Sequence, residues 1–324
     1  MRAVGFDTPG GPEVLRLVEL PTPHAAAGEV RVRVHAATVN PGDTMARSGS
    51  LPLDGWPEPP IVLGMELAGV LDEVGPDTAT DLTIGDAVMA MVTPVRPAGG
   101  AYAEHVVLPA HWVVSAPTGS GHAEASTIPM NGLTALDILE KLALSPGQTL
   151  GVTGAAGAVG GYVVELAKVV GLRVIADAAP KDKQLVRSLG ADLIVARGDD
   201  VASRFRALAP DGLDALVDAA LLGVTKLAPA VRDGGRFARV RRDGDAGVEA
   251  WHDPGRGITR VQAWVPDQAG DHDKLEQLRK LAESGTLTPR VDRVFPAEQA
   301  AQAHRTLEAG GTRGRIVLSF VSTP

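Results

Sequence analysis

Spacing and residue type make one stretch the strongest candidate for chemistry: Val152 to Gly161, reading VTGAAGAVGG. Small residues in this pattern let the chain reverse with little side-chain bulk. An anion can then approach the backbone N–H groups at a helix start, where the helix dipole favours negative charge. Gly157 and Gly160 take the second and third positions of the glycine fingerprint that binds a dinucleotide's pyrophosphate. Ala155 stands where the first glycine usually sits, Gly154 just before it can supply the turn, and Ala156, Ala158 and Val159 complete the loop. Glycines can also serve only to pack a helix on a strand. The context favours the nucleotide, because the motif follows a strand pattern, opens an amphipathic helix and feeds a second strand ending at Asp177. Asp177 lies 20 residues beyond Gly157, near where a ribose-binding acid selects NAD. Pro180, Lys181, Asp182, Lys183 and Arg187 follow; those cations either hold the 2′-phosphate of NADP or form the solvated face of a helix.

The elements that must position this loop alternate along the chain. Strand-like runs at Thr149–Thr153, Leu172–Asp177, Leu193–Ala196, Leu213–Asp218 and Arg236–Val240 are separated by helical patterns. In the first of these helices Val159, Val163, Leu166 and Val170 form one apolar stripe, with Gly171 as its stop. Such alternation predicts a doubly wound parallel sheet. Asp218, ending a strand, is expected at the carboxyl edge where ligands bind, as a cofactor contact or as a loop cap. The first 120 or so residues read instead as β-rich. From Glu29 to Ala36, Val30, Val32 and Val34 alternate with Arg31, Arg33 and His35, the pattern of a half-buried antiparallel strand. Short apolar runs follow at Ile61–Leu63, Leu67–Val74, Ala87–Val92 and His105–Leu108, then a helical pattern over Ala123–Leu144. Arg315–Phe320 reads as a closing strand, and Ile258–Val265 as an extra one.

Composition narrows the chemistry. The chain has 324 residues, enough for about two domains, with 44% hydrophobic and 22% charged residues, as in soluble globular proteins. No cysteine is present, which excludes disulfides, thiolate nucleophiles, iron–sulfur clusters and cysteine-held zinc. The eight histidines include no metal-binding spacing, so no metal site is expected. A net charge of -8 disfavours nucleic-acid and anionic-membrane partners. No run approaches the roughly 18 apolar residues of a membrane span, and the start has no leader-like apolar core, so a cytoplasmic setting is expected.

Several ordered motifs together carry a resemblance. They are Ala37-Thr38-Val39-Asn40-Pro41-Gly42-Asp43 with Arg47-Ser48-Gly49, Leu63-Gly64-Met65-Glu66-Leu67-Ala68-Gly69, Gly85-Asp86-Ala87-Val88 and Gly100-Ala101-Tyr102-Ala103-Glu104. Then come Pro129-Met130-Asn131-Gly132-Leu133-Thr134-Ala135, the glycine loop, Leu189-Gly190-Ala191-Asp192 and Gly314-Arg315-Ile316-Val317-Leu318. Over essentially its whole length the chain resembles the medium-chain dehydrogenase/reductase superfamily, in its zinc-independent quinone oxidoreductase (zeta-crystallin-like) branch. The resemblance implies an α/β protein: a GroES-like β-rich catalytic domain from residues 1–123 and 285–324, around an inserted Rossmann domain at 124–284, with substrate and cofactor meeting in the cleft between them.

In zinc alcohol dehydrogenases of this superfamily a ligand cysteine stands where this chain has Asn40, and a ligand histidine where it has Met65, so the resemblance implies no metal. Matched without a gap, Lys183 falls on the lysine that contacts the 2′-phosphate in related reductases. The usual NAD-selecting acid falls on Ala178, one step from Asp177. NADPH rather than NADH is therefore implied, with a quinone or α,β-unsaturated carbonyl as substrate. Related quinone reductases often carry a tyrosine where this chain has Met45, a departure that bears on quinone binding. The implied catalytic residues are Asn40, lining the nicotinamide cleft, with Asp43 and Arg47 orienting that loop or the substrate carbonyl. Asn40-Pro41-Gly42-Asp43 also makes an ordinary turn. Asn131 and Thr134 are expected at the nicotinamide ribose or carboxamide, although Asn131 can equally cap the helix that follows. Glu66, without a metal, is expected to pair with a nearby cation such as Arg47. A homodimer formed through edge strands is the family expectation. An enoyl or alkenal reductase of a biosynthetic pathway, and a non-catalytic NADP(H)-binding sensor or structural protein, are the competing readings.

Overall fold

The computed structural model describes residues 1–51, 55–243, 245 and 247–321, and divides into two compact units, Met1–Met130 with Pro266–Pro324, and Asn131–Val265. The first unit begins with β1 (Arg2–Phe6), β2 (Arg16–Glu19), β3 (Glu29–Thr38) and α1 (Pro41–Ser48). It continues through β4 (Ile61–Val62), β5 (Glu66–Val74), β6 (Ala87–Met91), β7 (His105–Pro109), β8 (Val113–Ser115) and the short α2 (His122–Ala125). The second runs through α3 (Pro129–Leu142, whose first two residues belong to the first unit), β9 (Thr149–Thr153), α4 (Ala158–Val169), β10 (Arg173–Ala178), α5 (Lys183–Ser188) and β11 (Leu193–Ala196). It ends with α6 (Val201–Leu208), β12 (Leu213–Asp218), α7 (Val224–Leu227), β13 (Val231–Arg239) and β14 (Thr259–Gln262). The chain then returns to the first unit with α8 (His272–Glu283), β15 (Val291–Pro296), α9 (Ala300–Ala309) and β16 (Arg315–Ser319).

In the first unit, the alternation read over Glu29–Ala36 becomes β3, whose Val30, Val32 and Val34 are buried. This strand is the spine of a seven-stranded sheet, ordered β15-β16-β3-β5-β6-β8. Beside β5, its other edge changes partner halfway along: Glu29–Arg33 pairs with β7, and Ala36–Thr38 with β16. A three-stranded sheet, β2-β1-β4, packs against it around Phe6, Leu63, Leu67, Leu71 and Tyr102. Each fully buried aliphatic or aromatic side chain of this size contributes roughly 1.5–3 kcal/mol.

The second unit has a six-stranded parallel sheet in the order β11-β10-β9-β12-β13-β14. The order reverses between β9 and β12, so a crevice opens there beyond the strands' carboxyl ends. Alternating β and α elements thus give the doubly wound sheet expected. The extra strand is shorter than Ile258–Val265, because Val265 already starts a helical turn.

Three expectations are corrected. The helix predicted over Ala123–Leu144 is two helices, since Pro129 cannot continue one and begins another. The inserted unit is Asn131–Val265 rather than 124–284. Residues on both flanks stay with the first unit: α2 lies on β3 and β5, α8 lies on β8, and Thr118 N–H donates to Glu283 at 2.9 Å. Asn131 lies in the first turn of α3 and is not its cap. Among the described residues, no helix is long and apolar enough to cross a membrane.

Candidate functional site

In the first unit, β3 leads through Asn40 into α1, with Pro41 at the first helical position, where its fixed φ suits a helix start. Asp43 accepts the N–H groups of Asn40 (2.8 Å) and Gly64 (2.9 Å) and the Tyr102 hydroxyl (3.1 Å). It is completely buried. Burial pushes its pKa up to about 6, against the pull of these three hydrogen bonds. Burial and the adjacent Asp43 also push the Tyr102 phenol well above its ordinary value. Gly64 must be glycine: its φ is +101°, and a Cβ would lie 2.5 Å from the Tyr102 ring. Asp43 therefore ties the Asn40 turn to the turn before β5, and its oxygens are spent inside the protein.

The Asn40 side chain points into a second buried cluster. Its Oδ1 accepts from Arg315 Nη2 at 2.7 Å, and its Nδ2 lies 3.4 Å from both Thr38 O and Glu66 Oε1. The same Arg315 nitrogen donates to Thr38 Oγ1 at 2.8 Å and to Glu66. Glu66 also accepts the Thr38 hydroxyl and, at 2.8 Å, the Met130 N–H. Antiparallel pairing of β16 with β3 sets Val317 opposite Thr38, which carries Arg315 to Asn40.

Glu66 is therefore paired with Arg315, and the expected Arg47 pairing is overturned. Arg47, nearly fully buried, instead reaches from the last turn of α1 to Glu308 on α9. Its Nε and Nη1 have no hydrogen-bond partner among the described residues. Close by, His304 Nε2 lies 3.4 Å from the Tyr102 hydroxyl, and burial together with the Arg47 charge lowers the His304 pKa to about 3. The structure thus joins Asn40 to Asp43 through the Asn40 N–H and Asp43 to His304 through Tyr102, with Arg47 beside His304 and paired with Glu308. No group of three or more His, Asp or Glu side chains able to hold a metal occurs among the described residues.

In the second unit the glycine loop takes the shape its sequence requires. Gly154 has φ +71°, and a Cβ there would come within 2.8 Å of the Ala219 carbonyl carbon. On Gly160 a Cβ would meet Gly154 O at 2.3 Å, so this glycine lets α4 pack directly on the loop. Gly157 stands just before α4 as its N-cap, with no side-chain cap bond among the described residues. Its first-turn amides, at Ala158 and Val159, lack intrahelical acceptors and lie at a partly exposed surface. Ala155 and Ala156 are buried behind them. A bulk-free, uncapped helix start at the strand-order reversal fits a diphosphate. Asn131, nearly fully buried, adds an Nδ2 with no hydrogen-bond partner among the described residues, a donor group of the kind a carboxamide or ribose can use. Thr134, one turn further along α3, is also buried.

Both predicted carboxylates face inward. Asp218 accepts from Thr153 Oγ1 (2.8 Å) and from the N–H groups of Leu222 (3.1 Å) and Gly223 (2.9 Å), so it caps the loop after β12. Asp177, only 2% exposed, accepts the Gly154 N–H at 2.7 Å and a bond from the Ala155 amide, and its second oxygen lies 3.4 Å from Arg197 Nε. Burial raises its pKa, while Arg197 and these amides oppose the rise. Both acids are buried and accept hydrogen bonds from the loops that follow β9 and β12. Lys183 is exposed at the start of α5, with no ion pair among the described residues. Two arginines are not singled out by the sequence. Arg315 stands there only as part of a strand motif, and Arg197 carries no local signal. Arg239 is buried and paired with Asp243.

Comparison with known proteins agrees with this architecture. A model described as "Alcohol dehydrogenase GroES-like domain" matches residues 26–118, and one described as "Zinc-binding dehydrogenase" matches residues 189–318. A chloroplastic NADPH-dependent alkenal/one oxidoreductase of Arabidopsis thaliana is 30% identical over 98% of this chain and 79% of its own length. The chain belongs to the medium-chain dehydrogenase/reductase superfamily, in its quinone-oxidoreductase-like branch. Among solved structures of the superfamily, an NAD-dependent alcohol dehydrogenase superposes with a TM-score of 0.89, at 31% identity over 99% of this chain and 100% of the other. Mycobacterial Rv1454c complexed with NADPH gives 0.84, at 28% identity over 98% and 100%. This medium-chain protein is accordingly an oxidoreductase of that type, with a GroES-like β-rich unit and a Rossmann unit.

Proposed function

We propose that this medium-chain oxidoreductase uses NADPH to reduce an α,β-unsaturated carbonyl or a quinone without a metal. The observation that carries the proposal is the uncapped start of α4 at the β9/β12 reversal, cleared of side chains by Gly154, Gly157 and Gly160. The names of the Arabidopsis relative and the mycobacterial complex support NADPH, and the former supports a conjugated carbonyl. When bound, the reduced nicotinamide supplies the hydride. The protein's part is to grip the diphosphate with the Ala158 and Val159 amides and to offer Asn131 Nδ2 as a polar anchor. Asp177 and Asp218 hold the loops that shape this pocket.

The residues at Asn40 and Met65 do not suit zinc. An amide oxygen and a thioether are weak ligands for that ion, and Asn40 Oδ1 is already committed to the Arg315 guanidinium. With no metal to activate an alkoxide, reduction of an electron-poor double bond is favoured over oxidation of an alcohol. Following NADPH oxidation with 1-octen-3-one and with 9,10-phenanthrenequinone tests this. Turnover with either acceptor in the presence of a chelator is expected. Alcohol oxidation that depends on stoichiometric zinc would refute it.

A further inference from the structure

We infer that Arg197 reads the 2′-phosphate of the adenosine ribose, and that Asp177, its buried partner, holds it in place instead of selecting NAD. The inference rests on the NADPH reading above and names the side chain that carries it. In doubly wound folds the adenosine ribose lies beyond the carboxyl end of the second strand, here β10, where an acid favours a free 2′-hydroxyl and an arginine favours a 2′-phosphate. Asp177 sits there, yet its oxygens are turned inward to Gly154 N–H and to Arg197 Nε, at 2.7 and 3.4 Å.

Arg197 follows β11, whose Ala196 pairs with Ala178 at the end of β10. Its own N–H donates to Ala178 O at 3.3 Å, so its backbone is fixed beside the ribose position. Arg204 clamps the same corner, with Nη1 donating to Ala196 O and to Arg197 O, both at 2.8 Å. The guanidinium comes closest to Asp177 through Nε, and the side chain is 41% exposed. Among the described residues the Arg197 guanidinium donates no hydrogen bond, and a planar pair of donors suits two phosphate oxygens. The buried carboxylate behind the arginine fixes its position without pointing at the phosphate. Lys183, on a long flexible stem and without a fixing partner, supplies charge but little geometry.

Calorimetry with 2′,5′-ADP and 5′-AMP isolates this subsite from turnover. The wild type should bind 2′,5′-ADP more tightly than 5′-AMP. Arg197→Ala should weaken 2′,5′-ADP by about 10- to 100-fold and leave 5′-AMP unchanged. Arg197→Lys, which keeps a cation beside Asp177, should retain the fold and show an intermediate loss; Lys183→Ala should lose less than Arg197→Ala. If Arg197→Ala keeps the full preference, or if Lys183→Ala alone abolishes it, the assignment to Arg197 is overturned while the NADPH reading stands. A wild type that favours 5′-AMP overturns both.

Discussion

Replacing Asp43 with asparagine removes a buried charge while keeping the side chain's shape. The folded-state pKa of Asp43 is about 6, against about 3.9 for an unfolded aspartate. The folded protein therefore binds the proton more tightly than the unfolded chain does. Stability from this group is fully present below about pH 4 and is lost as pH rises through about 6. Two pK units correspond to roughly 3 kcal/mol, of which about 2 kcal/mol falls between pH 4.5 and 7.5. Asp43 is completely buried, so solvent screening does not reduce this. His304 works in the opposite sense: its lowered pKa makes stability rise with pH from about 3 to 6.5, but it does so in both proteins and cancels in their difference. In the Asp43→Asn variant the side-chain amide leaves one of the Asn40 and Gly64 N–H groups without an acceptor, which costs roughly 1–3 kcal/mol at every pH. Urea unfolding of both proteins at several pH values should thus show the wild type more stable at pH 4.5, with the gap narrowing by about 2 kcal/mol toward pH 7.5. A gap that stays constant, or widens, refutes the account of Asp43 as a buried acid at the centre of the Asn40 and Gly64 turns.

Two further substitutions probe the other clusters. Gly160→Ala places a methyl group against Gly154 O and should cost roughly 1–3 kcal/mol and displace the loop, read as a lowered melting temperature and weakened coenzyme binding by calorimetry; full retention of both would contradict the packing argument. Arg315→Met strands the buried Glu66 carboxylate and should cost roughly 3–5 kcal/mol, whereas adding Glu66→Gln should recover part of it; a double variant no more stable than the single one argues against the ion pair in urea unfolding.

What could be read along the chain was whatever local chemistry constrains. The glycine loop was visible because a sharp bend beside a helix start tolerates only small residues there. The spine of the first unit was visible because Val30, Val32 and Val34 alternate with charges. Partnerships across long separations left no such trace: Glu66 and Arg315 lie 249 residues apart, and only the pairing of β16 with β3 brings them together. The nearby Arg47 looked the better partner because nothing local shows which face of α1 meets α9. Orientation was equally hidden for Asp177 and Asp218, since neither spacing nor strand position tells whether an acid faces a ligand or its own loop. Strand β1 leaves no alternation to read, because Ala3, Val4, Gly5 and Phe6 are all buried.

The halfway change of partner along β3 orders the birth of the molecule. The strand can pair with β5 along both halves, and with β7 along its first, once the chain has been made through Pro109, while the other edge of its second half must wait for β16, made only after the whole inserted unit. The parallel sheet, encoded in one unbroken middle stretch, is free to mature in that interval. Deleting β16 should therefore leave the parallel-sheet unit folded while the seven-stranded sheet stays incomplete.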